Sequence, residues 1–250
     1  MHGNSFKLMK AASEEIADAT HQNPISVLDV GSRIAPGKLS GYSQIFCDSR
    51  FRYLGIDIED GDNVDLVLSS PYSWPEIESS SYDMVISGQV LEHVPLFWEL
   101  LKEMSRVTRP GGFLVLVVPS KGAIHKHPVD CYRFNPDGLI SLATWLDYQV
   151  VSLKYDPGSY WGDVIMTAQK RQLPTIDSKL EHFPLLGTEI KIVTVSRMKR
   201  IRQILITVIV AIIGDRIFQL IIGGRNVIHT RMFSPMRRKD KAIRNRKSFK

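Results

Sequence analysis

The sequence is poor in cysteine and lacks an amino-terminal export signal. Its two cysteines, Cys47 and Cys131, are too far apart for the usual spacings of metal-binding cysteines. Two unpaired thiols fit a reducing compartment better than an oxidising one. The first 20 residues contain no basic stretch followed by an apolar run, so secretion is not expected. Together these absences predict a cytoplasmic protein.

The chain also lacks low-complexity tracts, and most of it lacks an excess of positive charge. Its composition is 44% hydrophobic and 23% charged, which is typical of globular domains. The net charge of +6 arises from Arg197 onward, where 15 Lys and Arg residues oppose two acidic residues. The first 196 residues carry 17 basic and 24 acidic residues. The basic character therefore belongs to the tail and indicates little about a substrate.

Seven short apolar runs alternate with helix-length segments in the first 171 residues. This alternation predicts a doubly wound, mostly parallel, seven-stranded α/β sheet of the Rossmann-like type. A short loop with Pro157 and Gly158 joins the last two runs, so we expect these two strands to pair antiparallel at the sheet edge. The predicted strands cover residues 25–31, 51–58, 64–68, 82–87, 111–119, 148–156 and 163–171.

Apolar residues at three- and four-residue spacing predict two amphipathic helices before the fifth strand. The first covers residues 5–20, and the second extends from Val90 to Met104, with Glu92 and His93 at its start. Beyond Arg171 the pattern changes to a Pro-containing segment, a hydrophobic stretch and a basic end. The predicted organisation is a domain over 1–171, a linker over 172–196, a helix over 197–224 and a basic tail over 225–250.

The turn after the first strand lies in VLDVGSRIAPG (Val27–Gly37), where Arg33 and Ala35 replace glycines common in dinucleotide-binding loops. One glycine, Gly31, is weak evidence on its own, because it allows any tight turn. However, Asp57 ends the second strand 26 residues after Gly31. In doubly wound folds an acid at about that offset hydrogen-bonds a ribose hydroxyl. Nothing in this loop requires a pyrophosphate.

Two later segments, YDMVISGQVLEHV (82–94) and RVTRPGGFLVL (106–116), distinguish the cofactor classes. In order and spacing they resemble motifs of the class I S-adenosylmethionine-dependent methyltransferases, and the resemblance covers roughly residues 25–171. It implies that S-adenosyl-L-methionine is the cofactor. The implied contacts are Asp29 and Gly31 with the methionine and ribose part, Asp57 with the ribose hydroxyls, Ile58 with the adenine, Ser69 and Ser70 near the adenine amine, and Ser87 and Gln89 beside the methyl group.

A further segment, HKHPVDCYRFNPDGL (125–139), follows the fifth strand, where this fold usually has a substrate-facing loop. With GSYWGDVIMTAQK (158–170) it resembles methyltransferases found among bacterial polysaccharide and glycan biosynthesis proteins. The resemblance implies transfer to a hydroxyl, or less readily to an amine, of a saccharide or glycan-linked acceptor, and the sequence itself does not choose between oxygen and nitrogen. Candidate catalytic residues are His127, Asp130, Arg133 and His93, because they can bind an anion, position a hydroxyl or accept its proton.

Other interpretations of this loop and of the function stay open. Asp130 can pair with Arg133 in a purely structural loop, before a helix that begins at Pro136. A metal site from His125, His127 and Asp130 is conceivable, but no further ligand cluster is evident, so no metal is predicted. The acceptor can also be a small metabolite or natural product. A module that binds the cofactor without turnover, or acts as a scaffold, is the alternative outside the enzymes.

The carboxyl-terminal segment 197–250 contains an apolar run, Ile204–Ile213, that is too short for a membrane span. Asp215 and Arg216 follow it, and they would be poorly placed in a bilayer core. Its apolar face and basic flank predict peripheral binding to an anionic surface on the cytoplasmic side of the membrane. Docking of the helix on the domain or on another subunit is the alternative. Nucleic acid is disfavoured as a partner, because aromatic residues are scarce in the tail.

Overall fold

The computed structural model describes residues 3–35, 40–172 and 191–192. The helices are α1 (Gly3–Ala19), α2 (Phe97–Val107) and α3 (Pro136–Trp145). The strands are β1 (Ile25–Val30), β2 (Phe51–Asp57), β3 (Leu66–Val67), β4 (Tyr82–Gly88), β5 (Thr108–Pro119), β6 (Tyr148–Tyr155), β7 (Asp163–Lys170) and β8 (Lys191–Ile192). Short 3₁₀ turns cover Tyr42–Ile45 and Leu91–His93.

The strands form one twisted sheet in the order β3-β2-β1-β4-β5-β7-β6-β8. Strands β1 to β5 are parallel, and β7 lies antiparallel between β5 and β6. The seven predicted strands and the antiparallel pairing of the last two are therefore confirmed. The two-residue β8 pairs parallel with β6 and falls within the predicted linker.

Helices cover both faces of the sheet. The strands in the middle of the sheet have apolar side chains on both faces, so both faces have to be buried. On one face α1 packs Met9, Ala12 and Ile16 onto the sheet, as its spacing predicts. On the other face α2 and α3 bury Leu101, Met104, Leu139 and Ala143, among others. Helix α3 begins at Pro136, as expected from proline at a first helical position.

The second predicted helix is shorter than its apolar pattern indicates. Helix α2 begins at Phe97, and the segment before it forms the 3₁₀ turn Leu91–His93. The expectation that Glu92 and His93 begin this helix was therefore wrong. Pro95 explains the difference, because the residue before a proline is disfavoured in the α conformation.

The remaining predictions about the whole chain concern its thiols and its carboxyl-terminal end. Cys47 and Cys131 are free and exposed, as expected. No helix among the described residues is both long and apolar enough to cross a membrane. The predicted helix 197–224 and the basic tail 225–250 lie outside the described residues.

Candidate active site

A cavity of about 690 Å³ opens at the carboxyl ends of β1, β2 and β4. The strand order changes direction between β1 and β4, and such a switch point is where open α/β sheets bind their ligands. One part of the cavity wall consists of segments that leave these strands, namely residues 29–35, 57–59 and 88–90. The other part consists of His93, residues 125–128 and Trp161. Members of both groups of predicted site residues, the cofactor group and the catalytic group, therefore line one cavity.

Asp29 lies near the end of β1 and is almost completely buried beside the cavity. Its Oδ2 accepts a 2.6 Å hydrogen bond from the Tyr53 hydroxyl. Its Oδ1 has no hydrogen-bond partner among the described residues. Burial raises the pKa of Asp29 to about 7, against the lowering effect of the Tyr53 hydrogen bond. Asp29 therefore offers a ligand one oxygen that the protein itself leaves unused.

Gly31 allows the chain to turn away from β1 beneath the cavity. Its φ of +78° lies in the region that favours glycine, and a Cβ atom there would collide with the Val90 side chain. At the end of β4, a Cβ on Gly88 would likewise overlap the hydroxyl of Tyr42. The absence of a side chain at these two positions thus lets Val90 and Tyr42 pack against the chain where it leaves the sheet. All four residues line the cavity.

Asp57 ends β2 at the cavity, and its carboxylate orders the turn that follows. Its Oδ2 accepts a hydrogen bond from the Arg33 backbone N–H at 3.2 Å, and its Oδ1 accepts one from the Glu59 N–H at 3.1 Å. The Arg33 guanidinium turns away and pairs with Glu59 at 2.6 Å. Next to Asp57, the Ile58 side chain is 50% exposed and lines the cavity.

The four remaining predicted cofactor residues differ in position. Gln89 lines the cavity, and its Nε2 donates to Asp163. The Ser87 side chain is fully buried and donates to the Val30 carbonyl, so it does not line the cavity. Ser69 and Ser70 are not among the lining residues, although their neighbours Leu68 and Pro71 are. The sequence pattern did not single out Trp74, which lines the same region and has an unpartnered buried Nε1.

Three imidazole rings form a cluster at the other end of the cavity. The ring centroid of His93 lies 4.9 Å from that of His125 and 5.6 Å from that of His127. The Trp161 ring packs against His125 at 4.4 Å. Partial burial lowers the pKa of His93, so this imidazole is neutral at physiological pH. The cluster therefore combines proton-accepting nitrogens with an aromatic surface.

Asp130 and Arg133 lie behind this cluster and are not among the cavity-lining residues. Both carboxylate oxygens of Asp130 accept hydrogen bonds from the Arg133 guanidinium, and Oδ2 also accepts one from the His125 backbone N–H. The guanidinium also donates to the Ala123 carbonyl at 2.9 Å. The adjacent Arg133 holds the pKa of the Asp130 carboxyl well below its usual range. This geometry supports the alternative in which the pair orders the loop.

Glu92 is a second residue near the site to which the sequence analysis assigned no functional role. Its side chain is fully buried, and neither carboxylate oxygen has a hydrogen-bond partner among the described residues. Burial raises the pKa of Glu92 to about 8. The only sequence signal was its position before His93 in VLEHV.

The comparisons with known proteins identify the same part of the chain. Residues 38–116 match the family model described as a methyltransferase domain. An "uncharacterized methyltransferase" of Mycobacterium avium (strain 104) is 37% identical over 102 residues, which are 36% of this chain and 38% of the relative. One of Mycobacterium tuberculosis (strain ATCC 25618 / H37Rv) is 34% identical over 113 residues, 39% of this chain and 42% of that protein. The chain thus spans about two fifths of the length of these curated relatives.

Solved structures establish the fold class. The 1,6-didemethyltoxoflavin-N1-methyltransferase of Burkholderia thailandensis, with bound S-adenosylhomocysteine, has a TM-score of 0.51 at 18% identity, covering 65% of this chain and 78% of that chain. A putative sarcosine dimethylglycine methyltransferase from Galdieria sulphuraria has a TM-score of 0.50 at 16% identity, covering 66% and 84%. The described residues therefore have the Rossmann-like fold of these methyltransferases. S-adenosylmethionine is the cofactor that the sequence resemblance implies.

Unpartnered polar atoms on residues that line the cavity fit the binding of this cofactor. Oδ1 of Asp29 and Nε1 of Trp74 are buried polar atoms without partners among the described residues, and both residues line the cavity. Buried polar atoms usually have partners, so a ligand that supplies them is expected here. Gly31 and Gly88 also line the cavity. Asp29, Gly31, Asp57 and Ile58 are therefore the residues that would hold the cofactor.

Proposed function

We propose that this protein is an S-adenosylmethionine-dependent methyltransferase that methylates a hydroxyl group of a saccharide or glycan-linked acceptor. The observation that carries the proposal is that the cofactor residues and the imidazole cluster line one cavity. Methyl transfer needs the nucleophile in line with the methyl group and a group that receives the nucleophile's proton. The two ends of this cavity supply these two requirements.

The cofactor, when bound, supplies a methyl group that is electrophilic because it is attached to a sulfonium. The protein then has to hold the acceptor oxygen and remove its proton. We assign the proton acceptor to His127, which is exposed, lines the cavity and lies beside His93 and His125. The imidazole of His127 would receive the proton that the acceptor hydroxyl loses when it is methylated. Arg133 and Asp130 act as positioning residues for this loop.

The saccharide acceptor is supported by the composition of the cavity wall next to the imidazoles. Trp161 provides an apolar ring surface, and three histidines provide hydrogen-bonding groups beside it. Pockets with an aromatic surface and a few directed polar groups fit ligands with one apolar face and several hydroxyls. The sequence feature that suggests this acceptor is the resemblance of segment 125–139 to methyltransferases found among glycan biosynthesis proteins.

A small metabolite or natural product is the second candidate acceptor. It is favoured by the Burkholderia thailandensis structure, which contains the small heterocycle 1,6-didemethyltoxoflavin beside S-adenosylhomocysteine on the same fold. The third alternative is a module that binds the cofactor without turnover. Mass spectrometry of envelope glycans from cells with and without the protein separates the acceptors. Radiolabelled methyl transfer to an extract separates an enzyme from a non-catalytic module.

The cofactor assignment is tested first by calorimetry with S-adenosylmethionine. We expect Asp57→Ala to weaken binding by about 1–3 kcal/mol, because hydrogen bonds to a charged group are lost. Asp60→Ala, an exposed acid three residues away, is the matched control and should bind as the unmodified protein does. No binding by the folded, unmodified protein would overturn the proposed function. His127→Ala should keep the cofactor affinity and lose methyl transfer.

We further propose that segment 197–250 attaches the protein to anionic membrane surfaces. The support comes from the sequence, in which an apolar helical face precedes a strongly basic tail. Flotation with vesicles containing phosphatidylglycerol should recover the full chain but not a chain that ends at residue 196. Equal flotation of both chains contradicts this proposal and leaves the proposed activity unaffected.

A further inference from the structure

Glu92, His93 and His125 come together at the acceptor end of the cavity. Each residue offers one ligand atom, and these atoms all lie within 4.8 Å of one another. Two ligands bound to a divalent metal at about 2.0–2.2 Å are separated by about 3–4 Å. Small side-chain movements therefore suffice to bring the three atoms around one ion.

The Glu92 carboxyl group is buried without a hydrogen-bond partner among the described residues. It is fully buried, and neither oxygen is hydrogen-bonded by any of the described residues. An isolated buried charge is costly, and buried carboxylates are therefore usually paired or bound to metals. The nearest ring nitrogen, Nε2 of His93, lies 3.7 Å from Oε1, beyond hydrogen-bond distance. The carboxyl group thus points toward a nitrogen that it does not bond directly.

His93 has the orientation of a metal ligand. Its Nδ1 lies 2.6 Å from the Val129 carbonyl oxygen, which can only accept, so Nδ1 carries the proton. The neutral ring therefore presents an unprotonated Nε2 on the Glu92 side. A backbone carbonyl that fixes the opposite nitrogen is the usual support for a metal-binding imidazole.

His125 has a carboxylate behind it. Its Nδ1 lies 3.5 Å from Oδ2 of Asp130, and this buried nitrogen has no hydrogen-bond partner among the described residues. Asp130 is fixed in place by the Arg133 guanidinium. A carboxylate next to an imidazole raises the basicity of the ring as a ligand. Both histidines thus have supporting groups outside the three ligands.

We propose that Glu92, His93 and His125 bind a divalent transition-metal ion, with Zn²⁺ the best match to two imidazoles and one carboxylate. The ligands differ from the set His125, His127 and Asp130 suggested by sequence spacing, because Arg133 holds Asp130. Three protein ligands leave a coordination position open, and His93 and His125 line the cavity. An acceptor hydroxyl bound there would lose its proton to His127 more easily. This role rests on the proposed function, whereas binding of the ion does not.

The experiment is calorimetric titration of the chelator-treated full chain with Zn²⁺, with Co²⁺ absorption as a second readout of the ligands. We expect one equivalent to bind, and Glu92→Gln to weaken binding by about 100-fold or more. His21→Gln changes an exposed histidine elsewhere in the chain and should leave both readouts unchanged. The proposal would be overturned if the unmodified protein and Glu92→Gln bound Zn²⁺ with equal affinity. It would also be overturned if Glu92→Gln and His21→Gln lost the same amount of Zn²⁺ affinity.

Cofactor binding separates this inference from the proposed function. Glu92→Gln should retain the S-adenosylmethionine affinity of the unmodified protein, which also shows that the variant is folded. If methyl transfer proceeds unchanged after chelation and no Zn²⁺ binds, the metal site is absent and the proposed function stands. If Zn²⁺ binds but S-adenosylmethionine does not, the metal site stands and the proposed function fails.

Discussion

The hydroxyl of Tyr53 donates to Oδ2 of Asp29 and accepts a 2.8 Å hydrogen bond from Nδ2 of Asn63. This chain of bonds joins β1, β2 and the loop before β3 at the cavity. It fixes the orientation of a carboxyl group whose pKa burial raises to about 7. The second oxygen of Asp29 is thereby held in one position.

Removal of this hydroxyl should weaken cofactor binding. We expect Tyr53→Phe to cost about 1 kcal/mol in S-adenosylmethionine affinity, because Asp29 loses one oriented hydrogen bond. Calorimetry with the cofactor measures the effect. Tyr82→Phe is the matched control, since Tyr82 begins β4 at the end of the strand away from the cavity. Equal affinities of the two variants would argue that Tyr53 does not position Asp29.

Substitution of Gly31 should affect both stability and cofactor binding. In Gly31→Ala the alanine has to adopt a positive φ, and its methyl group collides with the Val90 side chain. We therefore expect the free energy of unfolding to fall by about 1–3 kcal/mol. Gly138→Ala is a matched substitution in α3, where no atom lies within 4 Å of the new Cβ. That variant should be stabilised by up to about 1 kcal/mol. Urea unfolding of both variants checks the contrast, and equal signs would refute it.

The stability of the cofactor-free protein should depend on pH through two buried acids. The pKa values of Asp29 and Glu92 are raised to about 7 and about 8, so the folded state holds protons that the unfolded state releases. Stability from these groups is therefore lost as pH rises toward 8. Asp29→Asn with Glu92→Gln should flatten the pH dependence relative to the unmodified protein by about 1–3 kcal/mol between pH 6 and 8.

Thermal unfolding in the presence of a chelator measures this effect. The exposed acid Asp60 supplies the control variant Asp60→Asn, which should follow the pH curve of the unmodified protein. Parallel curves for the double variant and the unmodified protein would show that the two carboxyls do not hold these protons in the folded state.

The pair formed by Arg133 and Asp130 should determine the order of the loop that carries the histidines. Lysine cannot reproduce the two parallel hydrogen bonds of the guanidinium. We therefore expect Arg133→Lys to accelerate amide hydrogen exchange in residues 121–133 by about 5- to 100-fold, with unchanged cofactor affinity. Arg109→Lys disrupts a similar pair with Asp83 elsewhere in the fold and is the control. Unchanged exchange in the loop would exclude the positioning role.

The sequence predicted the sheet well because its evidence is local. Apolar runs such as the one in β5 are long enough, and their boundaries clear enough, to define a buried parallel strand. The position of Asp57 at the end of β2 followed from the same reasoning. Connections between strands are short, and crossovers between parallel strands are right-handed. Few strand orders satisfy both rules, so the rules restrict the order of the strands and the position of the antiparallel final pair.

The side-chain partners in the site were harder to predict, because they depend on contacts between distant segments. The apolar spacing from Val90 onward continued through Pro95, and it placed Glu92 in a helix rather than in a turn. Periodicity could not show that the Ser87 hydroxyl turns to Val30, inside the sheet. Nor could spacing choose between Arg133 and a ligand as the partner of Asp130.

Glu92 also accepts, through its backbone carbonyl, the N–H groups of Cys131 at 2.7 Å and Tyr132 at 3.3 Å. The base of the histidine loop is therefore attached to the turn that leaves β4, while its outer part carries Ile124, which is 81% exposed. Ile124 lies between Ala123, whose carbonyl accepts from Arg133, and His125, whose N–H donates to Asp130. A change in the turn that leaves β4 would therefore move the histidine loop together with it.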